Sequence, residues 1–192
     1  MGNITTLSFL FAGLFAAASA QAQVRKIDTT AGFGGIGYRV SCSNKNADQN
    51  DVTISPKGFG KDVRDVSFTI KGRLRKILAD DFNEDGFPDL ALCFYNGPNS
   101  EFGNIAAIAS SGNNSLVPVT FPDIYTDQKL SEGYKGHDEF NVLVGTLQQS
   151  FPFYKPGDTD SPTGGTKVIQ YKMVKAENGY TFKVLRSYIK QQ

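Results

Sequence analysis

Apolar and polar residues alternate along much of the chain, so that every second side chain shares a face. The clearest runs are Val66/Phe68/Ile70, Phe140/Val142/Val144, Ile169/Tyr171/Met173 and Tyr180/Phe182/Val184. A period of two predicts half-buried β-strands. No convincing stripe with helical spacing interrupts this pattern beyond residue 22. We therefore predict an all-β fold, an antiparallel β-sandwich or flattened barrel in a single domain with long functional loops.

Two turn signals indicate which strands pair. Asn178-Gly179 separates the last two alternating runs, and it favours a type I′ hairpin because both central positions need positive φ. A second turn, Ser111-Gly112-Asn113-Asn114, lies between the apolar segments 105–109 and 116–119. The sequence thus predicts two antiparallel hairpins. Two long irregular segments remain, residues 121–138 and 154–165, and we expect function there because long loops in compact domains commonly bind a partner.

Length and composition limit the class of protein. The chain has 192 residues and a formal net charge of +1, which gives no indication of binding to nucleic acid or to a membrane surface. Residues 7–18 form an apolar run too short to cross a bilayer, and Ala20-Gln21-Ala22 follows. We predict a signal peptide over residues 1–22, cleaved after Ala22 or alternatively after Ala20. One domain over residues 23–192 would then reach the periplasm or the medium.

The two cysteines, Cys42 and Cys93, would meet an oxidising environment in either compartment. We therefore predict a disulfide between them. The alternative is a pair of buried thiols in neighbouring strands.

Residues 81–89 (DFNEDGFPD), here called the acidic loop, carry oxygen-bearing groups at every second position. Asp81, Asn83, Asp85, the Phe87 carbonyl and Asp89 are candidate calcium ligands, because a hard cation prefers oxygen atoms presented by one tight loop. The pattern resembles the calcium loop of integrin-type FG-GAP repeats. The alternative is a metal-free hairpin whose Asp and Asn side chains bond to their own backbone.

Signatures of catalysis are weak. The string Gly32-Phe33-Gly34-Gly35-Ile36-Gly37 fits a dinucleotide motif by spacing, but a strand follows it instead of a helix, so we interpret it as a flexible glycine-rich segment. His137 is the only histidine, which excludes multi-histidine zinc sites. No nucleophile-elbow string G-x-S-x-G occurs. We therefore expect a protein that is not an enzyme and needs no cofactor, calcium in the acidic loop being the one candidate.

The second half of the chain carries a set of uncommon strings in a fixed order. They are residues 131–140 (SEGYKGHDEF), 144–147 (VGTL), 151–154 (FPFY), 157–160 (GDTD), 162–166 (PTGGT) and 170–172 (QYK). Together they resemble the periplasmic inhibitors of invertebrate-type (i-type) lysozyme, the PliI family. The resemblance covers residues 67–189, and it is less clear before residue 67. The cysteines are not part of the family pattern.

The resemblance implies binding to an i-type lysozyme, with a loop entering the cleft of the enzyme. Ser131 and Tyr134 match the pair that makes this contact, and Gly133 allows the backbone to approach closely. A hydroxyl pair suits a cleft that holds an acid and a carboxylate. We expect Gly136, His137 and Asp138 to support the loop from behind. The resemblance also suggests a homodimer, which unpaired edge strands would favour.

A second hypothesis comes from the acidic loop. It describes a calcium-stabilised module of the cell envelope that serves in adhesion or in carbohydrate binding. Chelation separates the two hypotheses, because only the module would need calcium to bind its ligand.

Overall fold

The computed structural model describes residues 26–191. The predicted signal peptide lies outside these residues. Within them the chain forms twelve strands and two short helical turns. The strands are β1 (Ile27–Phe33), β2 (Ile36–Cys42), β3 (Asn50–Lys57), β4 (Val66–Ile70), β5 (Arg73–Asp80), β6 (Asp89–Asn96), β7 (Phe102–Ser111), β8 (Ser115–Thr120), β9 (Glu139–Leu143), β10 (Thr146–Pro152), β11 (Thr166–Ala176) and β12 (Gly179–Lys190). The turns are a 3-10 turn (Ile124–Thr126) and a one-turn helix, α1 (Gln128–Ser131).

The strands form two sheets. The first has the order β1-β2-β3-β4, and the second has the order β5-β6-β7-β8-β12-β11-β10-β9. All pairs are antiparallel except β8 with β12. The second sheet curls into a nearly closed barrel, whose edge strands β5 and β9 meet through side chains. Lys76 Nζ donates to Phe140 O at 2.6 Å, and Gly145 N donates to Asp80 Oδ2 at 2.9 Å.

Strand β6 explains why the molecule is layered. Its side chains alternate between two cores: Ala91, Cys93 and Tyr95 point into the barrel. Leu90 and Leu92 point the other way, into the core that the first sheet covers. A strand buried on both faces has a nearly continuous apolar sequence, as residues 90–95 do. The first sheet therefore packs on the outside of the barrel, and the all-β sandwich or flattened barrel predicted from sequence is confirmed.

All four predicted alternating runs lie in strands, namely in β4, β9, β11 and β12. One residue departs from its run. Strand β9 ends at Leu143, and Val144 lies in the turn to β10 with φ +42° and 92% of its surface exposed. The Val144-Gly145 turn keeps β9 short, because it brings β10 back at once in antiparallel register.

Both predicted hairpins are confirmed, with a shift in one turn. Ser111 pairs with Ser115 around a three-residue loop, in which Gly112 and Asn113 take positive φ. In the last hairpin Ala176 pairs with Gly179, so the loop is Glu177-Asn178 and the type I′ turn at Asn178-Gly179 is wrong. The backbone of Gly179 instead lies close to Val117 and Pro118, where a Cβ atom would clash.

Two further sequence interpretations are corrected. The glycine-rich segment is an ordered hairpin, in which Phe33 pairs with Ile36 around Gly34 and Gly35 at φ +62° and +79°. Positive φ at both positions is what a tight two-residue turn needs.

The predicted disulfide is also wrong, because Cys42 and Cys93 are free, buried thiols. Cys42 belongs to the core between the sheets, whereas Cys93 points into the barrel from the opposite face of β6. Burial raises the pKa of the Cys93 thiol to about 12, which disfavours the reactive thiolate. Among residues 26–191, no helix has the length and apolar character needed to span a membrane.

Candidate functional site

The two long irregular segments lie between β8 and β9 and between β10 and β11. The first has the bounds expected from sequence, and the second begins one residue earlier than expected, at residue 153. The structure brings them together at one end of the barrel. Tyr154 N donates to Gly133 O at 3.0 Å. Lys135 Nζ donates to Asp158 O and Thr159 O at 3.0 and 2.9 Å. Each segment therefore supports the other.

Aspartate caps give the first segment its local structure. The side chain of Asp123 accepts a hydrogen bond from Tyr125 N and begins the 3-10 turn. Asp127 accepts from the backbone N–H groups of Lys129 and Leu130 and begins α1. Ile124 and Leu130 are buried in the barrel core and anchor the two turns. Ser131 then ends α1, where its Oγ donates to Asp127 O at 3.1 Å.

Gly133 lies where only glycine fits. Its φ is +69°, and a Cβ atom there would come within 2.5 Å of Tyr154 O and 2.6 Å of the Phe153 ring. The backbone of Gly133 therefore approaches the second irregular segment closely, whereas the predicted approach to an enzyme stays a prediction. This close contact makes the turn between α1 and Tyr134 compact.

Tyr134 is partly buried and forms part of an aromatic cluster. Its ring packs edge-on against Phe151 at 4.7 Å and against Tyr125 at 5.6 Å, and it lies 6.2 Å from Phe102. The Tyr134 hydroxyl donates to Asp138 Oδ2 at 2.5 Å. Burial, followed by the nearby Asp138 charge, raises the pKa of Tyr134 above its usual range. Tyr134 is thus a fixed side chain whose proton is directed inward.

Asp138 is the centre of a buried polar network, with 3% of its surface exposed. Its Oδ2 accepts from Tyr134 and from Gly103 N at 2.7 Å, and its Oδ1 accepts from Gln149 Nε2 at 2.7 Å. Gln149 Oε1 in turn accepts from the Tyr171 hydroxyl at 2.7 Å. Burial raises the pKa of Asp138, and the hydrogen bonds from Tyr134, Gln149 and Gly103 oppose that rise.

Gly136 and His137 take part through their backbone. Gly136 has φ +84°, and a Cβ atom there would lie 2.8 Å from Glu101 O. The backbone N–H of His137 donates to the same Glu101 oxygen at 2.6 Å. His137 has φ +64°, and its side chain is exposed. Asp138 therefore contacts Tyr134 through its carboxylate. His137 takes part in this region only through its backbone N–H.

Two further residues, not predicted from the sequence, support this end of the barrel. Lys167 on β11 is 5% exposed, and its Nζ donates to Lys129 O and Glu132 O at the end of α1. Burial lowers the pKa of this lysine. Gln149 on β10 is 2% exposed and bonds to Asp138. Both were visible as polar residues at inward positions of alternating runs, Lys167/Ile169/Tyr171 and Leu147/Gln149/Phe151.

The acidic loop directs its side chains to its own and neighbouring backbone. Asp81 accepts from the N–H groups of Asp85 and Gly86, and Asp85 accepts from those of Phe87 and Gly112. Among the described residues, no group of three or more His, Cys, Asp or Glu side chains is arranged to hold a metal ion. This is the bonding pattern of the metal-free alternative, in which carboxylates close Asx turns.

Asp89 closes the acidic loop from inside the protein. It is fully buried, and its carboxylate accepts from Phe82 N, Asn83 N and Ser110 N at 2.8 to 2.9 Å. Burial raises the pKa of Asp89 to about 7 against the effect of these donors. Its role is to join the loop to the β7–β8 hairpin.

Comparison with known proteins finds no matching family model, no matching curated protein and no matching solved structure. The resemblance to lysozyme inhibitors therefore rests on the strings of the sequence itself.

Proposed function

We propose that this protein is a periplasmic or secreted inhibitor of i-type lysozyme, exported through a signal peptide that is cleaved near Ala22. It acts by binding and not by catalysis. The strings that support this proposal come from the two irregular segments and from the strands next to them. They include Ser131, Gly133 and Tyr134, the residues proposed to contact the enzyme.

The observation that carries the proposal is the rigid support of residues 131–138, here called the inhibitory loop. Three hydrogen bonds provide this support. Tyr134 donates to Asp138, Tyr154 N donates to Gly133 O, and Lys167 Nζ donates to Lys129 O in α1. A loop fixed before binding loses little conformational entropy on binding, so more of its contact energy appears as affinity. Such a loop suits insertion into an enzyme cleft.

The internal hydrogen bond of Tyr134 defines what its hydroxyl offers to a partner. The hydroxyl donates a hydrogen bond to Asp138, and its oxygen still has lone pairs that can accept one. A lysozyme cleft contains a protonated general acid, which is such a donor. We therefore propose that Tyr134 accepts from that acid, while the Ser131 hydroxyl turns from Asp127 O toward the enzyme.

The test is the binding of the mature chain to a purified i-type lysozyme, measured by calorimetry. Ser131→Ala and Tyr134→Phe each remove one hydroxyl. Because these hydroxyls also donate to Asp127 O and to Asp138, the melting temperature of each variant is measured beside its affinity and should match that of the wild type. We expect each to raise Kd at least about tenfold. Ser115→Ala is the matched control, since Ser115 is an exposed hydroxyl residue on β8 and lies outside both irregular segments. Unchanged affinity in both loop variants would reject this site.

The homodimer is a second part of the proposal. Strand β12 pairs with β8 only at Tyr180 and Thr181, so among the described residues nothing pairs with that edge over residues 182–190. Four apolar side chains are exposed on the same stretch, namely Val184, Leu185, Tyr188 and Ile189. An open apolar edge favours pairing with a second copy. Sedimentation should give a dimer, and Leu185→Lys should give a monomer.

The calcium-stabilised module is the alternative proposal. The hydrogen bonds of the acidic loop favour it less, because its carboxylates already accept backbone N–H groups. Thermal unfolding with added calcium and with chelator separates the two. A melting temperature that rises with calcium would support the module.

A further inference from the structure

A cleft of about 450 Å³ opens at the same end of the barrel as the inhibitory loop. The ends of β6 and β7 form one wall, and residues 121–125 form the opposite wall. Tyr134 and Gln149 also line it. The cleft contains no residue of the acidic loop, and it is large enough for a ligand of two or three sugar rings.

Aromatic rings provide much of the lining. Phe102, Phe121 and Tyr125 lie around the cleft with Tyr134, and Tyr125 is 63% exposed. The ring of Tyr125 is held edge-on to Tyr134, with a centroid distance of 5.6 Å. Its position is therefore fixed although most of its surface faces solvent. An exposed ring in a fixed position provides a flat apolar surface for a ligand.

Amide groups provide the polar part of the lining. Asn96 and Asn104 make only long internal hydrogen bonds, from Nδ2 to Lys71 O at 3.3 Å and to Phe102 O at 3.4 Å. Within residues 26–191 the hydrogen bonds of these two side chains are made by Nδ2, and their Oδ1 atoms accept none. Each asparagine can therefore offer one acceptor and one donor to a ligand.

Charge narrows the ligand class. Among the described residues that line the cleft there is no lysine or arginine, so a phosphate or carboxylate ligand would find no counter-charge from them. Asp123 is the one carboxylate in that described lining, and it accepts a hydrogen bond from Tyr125 N at 2.9 Å. The amide groups make the cleft unsuitable for a hydrocarbon chain, which would leave them unpaired. The fitting ligand is neutral, with apolar faces and several hydroxyl or amide groups at its edge.

We propose that this cleft binds a short neutral saccharide. The C–H face of a pyranose ring stacks on Tyr125, and its hydroxyl or N-acetyl groups bond to Asn96 and Asn104. The site is independent of calcium, and it does not depend on the lysozyme proposal, since it is defined by lining residues that lie mostly outside the inhibitory loop.

Titration of the mature chain with chitotriose and with cellotriose, followed by ligand-observed NMR, tests this inference. We expect a Kd of about 1 mM or lower for at least one of them. Tyr125→Ala and Asn104→Ala should each weaken binding at least about tenfold, because each removes one half of the recognition. Phe33→Ala is the control, since Phe33 is an exposed aromatic residue on β1 that does not line the cleft, and it should leave binding unchanged.

Two results would overturn the inference. One is that neither saccharide binds at concentrations about ten times the expected Kd. The other is that binding persists in both cleft variants while their melting temperatures match that of the wild type. The saccharide titration contains no lysozyme, so its failure is distinguishable from failure of the inhibitor proposal. Saccharide binding without lysozyme inhibition would remove the inhibitor proposal alone.

Discussion

At the scale of single residues, two buried carboxylates organise the ends of the barrel. Asp138 accepts from three separate parts of the chain, namely Tyr134, Gly103 and Gln149. Asp89 accepts from two parts, the acidic loop and Ser110. A buried carboxylate is costly unless donors surround it, so each Asp fixes the segments that provide those donors.

Asp138→Ala should lower the free energy of unfolding by about 3 kcal/mol, because it leaves three donors in the interior without an acceptor. Urea denaturation measures this loss. Asp160→Ala is the control, since Asp160 is exposed and should change stability by less than about 0.5 kcal/mol. Equal stability of the two variants would show that the Asp138 network contributes little.

The carboxyl group of Asp89 should lose its proton at a higher pH than an ordinary aspartate does. Its pKa in the folded protein is about 7, against an ordinary value of 3.8. Between these pH values the folded protein binds the proton more tightly than the unfolded chain, so the free energy of unfolding falls as pH rises, by up to about 1.4 kcal/mol per pH unit. NMR of the Asp89 carboxyl carbon should show a midpoint near 7. A midpoint at or below the ordinary value would show that the backbone donors outweigh burial.

Residue-level features were only partly predictable. Polar residues at inward positions, such as Gln149 and Lys167, are visible in the sequence as breaks in an apolar pattern. Their partners are not visible, because Asp138 and the α1 carbonyls come from distant parts of the chain. Asp138 was singled out in the sequence, but its contact with Tyr134 depends on the loop geometry and was not predictable.

At the scale of elements, glycines shape both irregular segments, residues 121–138 and 154–165. Gly133 and Gly157 both take positive φ, +69° and +95°, but their surroundings differ. Gly133 packs against the second irregular segment, whereas a Cβ atom at Gly157 would meet nothing within 4 Å. The two glycines therefore separate the effect of backbone strain from the effect of packing.

Gly133→Ala should cost at least about 2 kcal/mol more than Gly157→Ala, because both substitutions are strained but only the first clashes. Urea denaturation of both variants gives the difference. Gly133→Ala should also weaken lysozyme binding, since it separates the two segments. Equal costs would mean that the close approach at Gly133 is easily relieved.

Alternating patterns predicted the strands well, because one buried face requires a period of two. The pattern was less informative at turns. Val144 continues an alternating run in sequence, yet it lies in the turn after β9, where its φ is positive. The turn of the last hairpin likewise lies one residue earlier than expected, at Glu177-Asn178. Gly179 packs against Val117 and Pro118 from another hairpin.

At the scale of the whole molecule, the two-layer arrangement was not predictable from local patterns. Strand β6 separates the core inside the barrel from the core under the first sheet, and Cys93 and Cys42 lie on different sides of it. The predicted compartment and the cysteine count favoured a disulfide, but the layer arrangement decides which side chains can meet.

Alkylation of the unfolded, unreduced protein should therefore modify both cysteines, as counted by mass spectrometry. In the folded protein both should react slowly, because each thiol is buried. Reductant should leave the melting temperature unchanged. Absence of alkylation in the unfolded, unreduced chain would restore the disulfide.

The most direct test of the proposed function is lysis of a bacterial suspension by an i-type lysozyme in the presence of increasing amounts of the mature chain. A chicken-type lysozyme serves as the parallel reaction. We predict that lysis by the i-type enzyme stops as the chain approaches a stoichiometric amount. Undiminished lysis by the i-type enzyme would contradict the proposal and leave the resemblance as one of sequence strings alone.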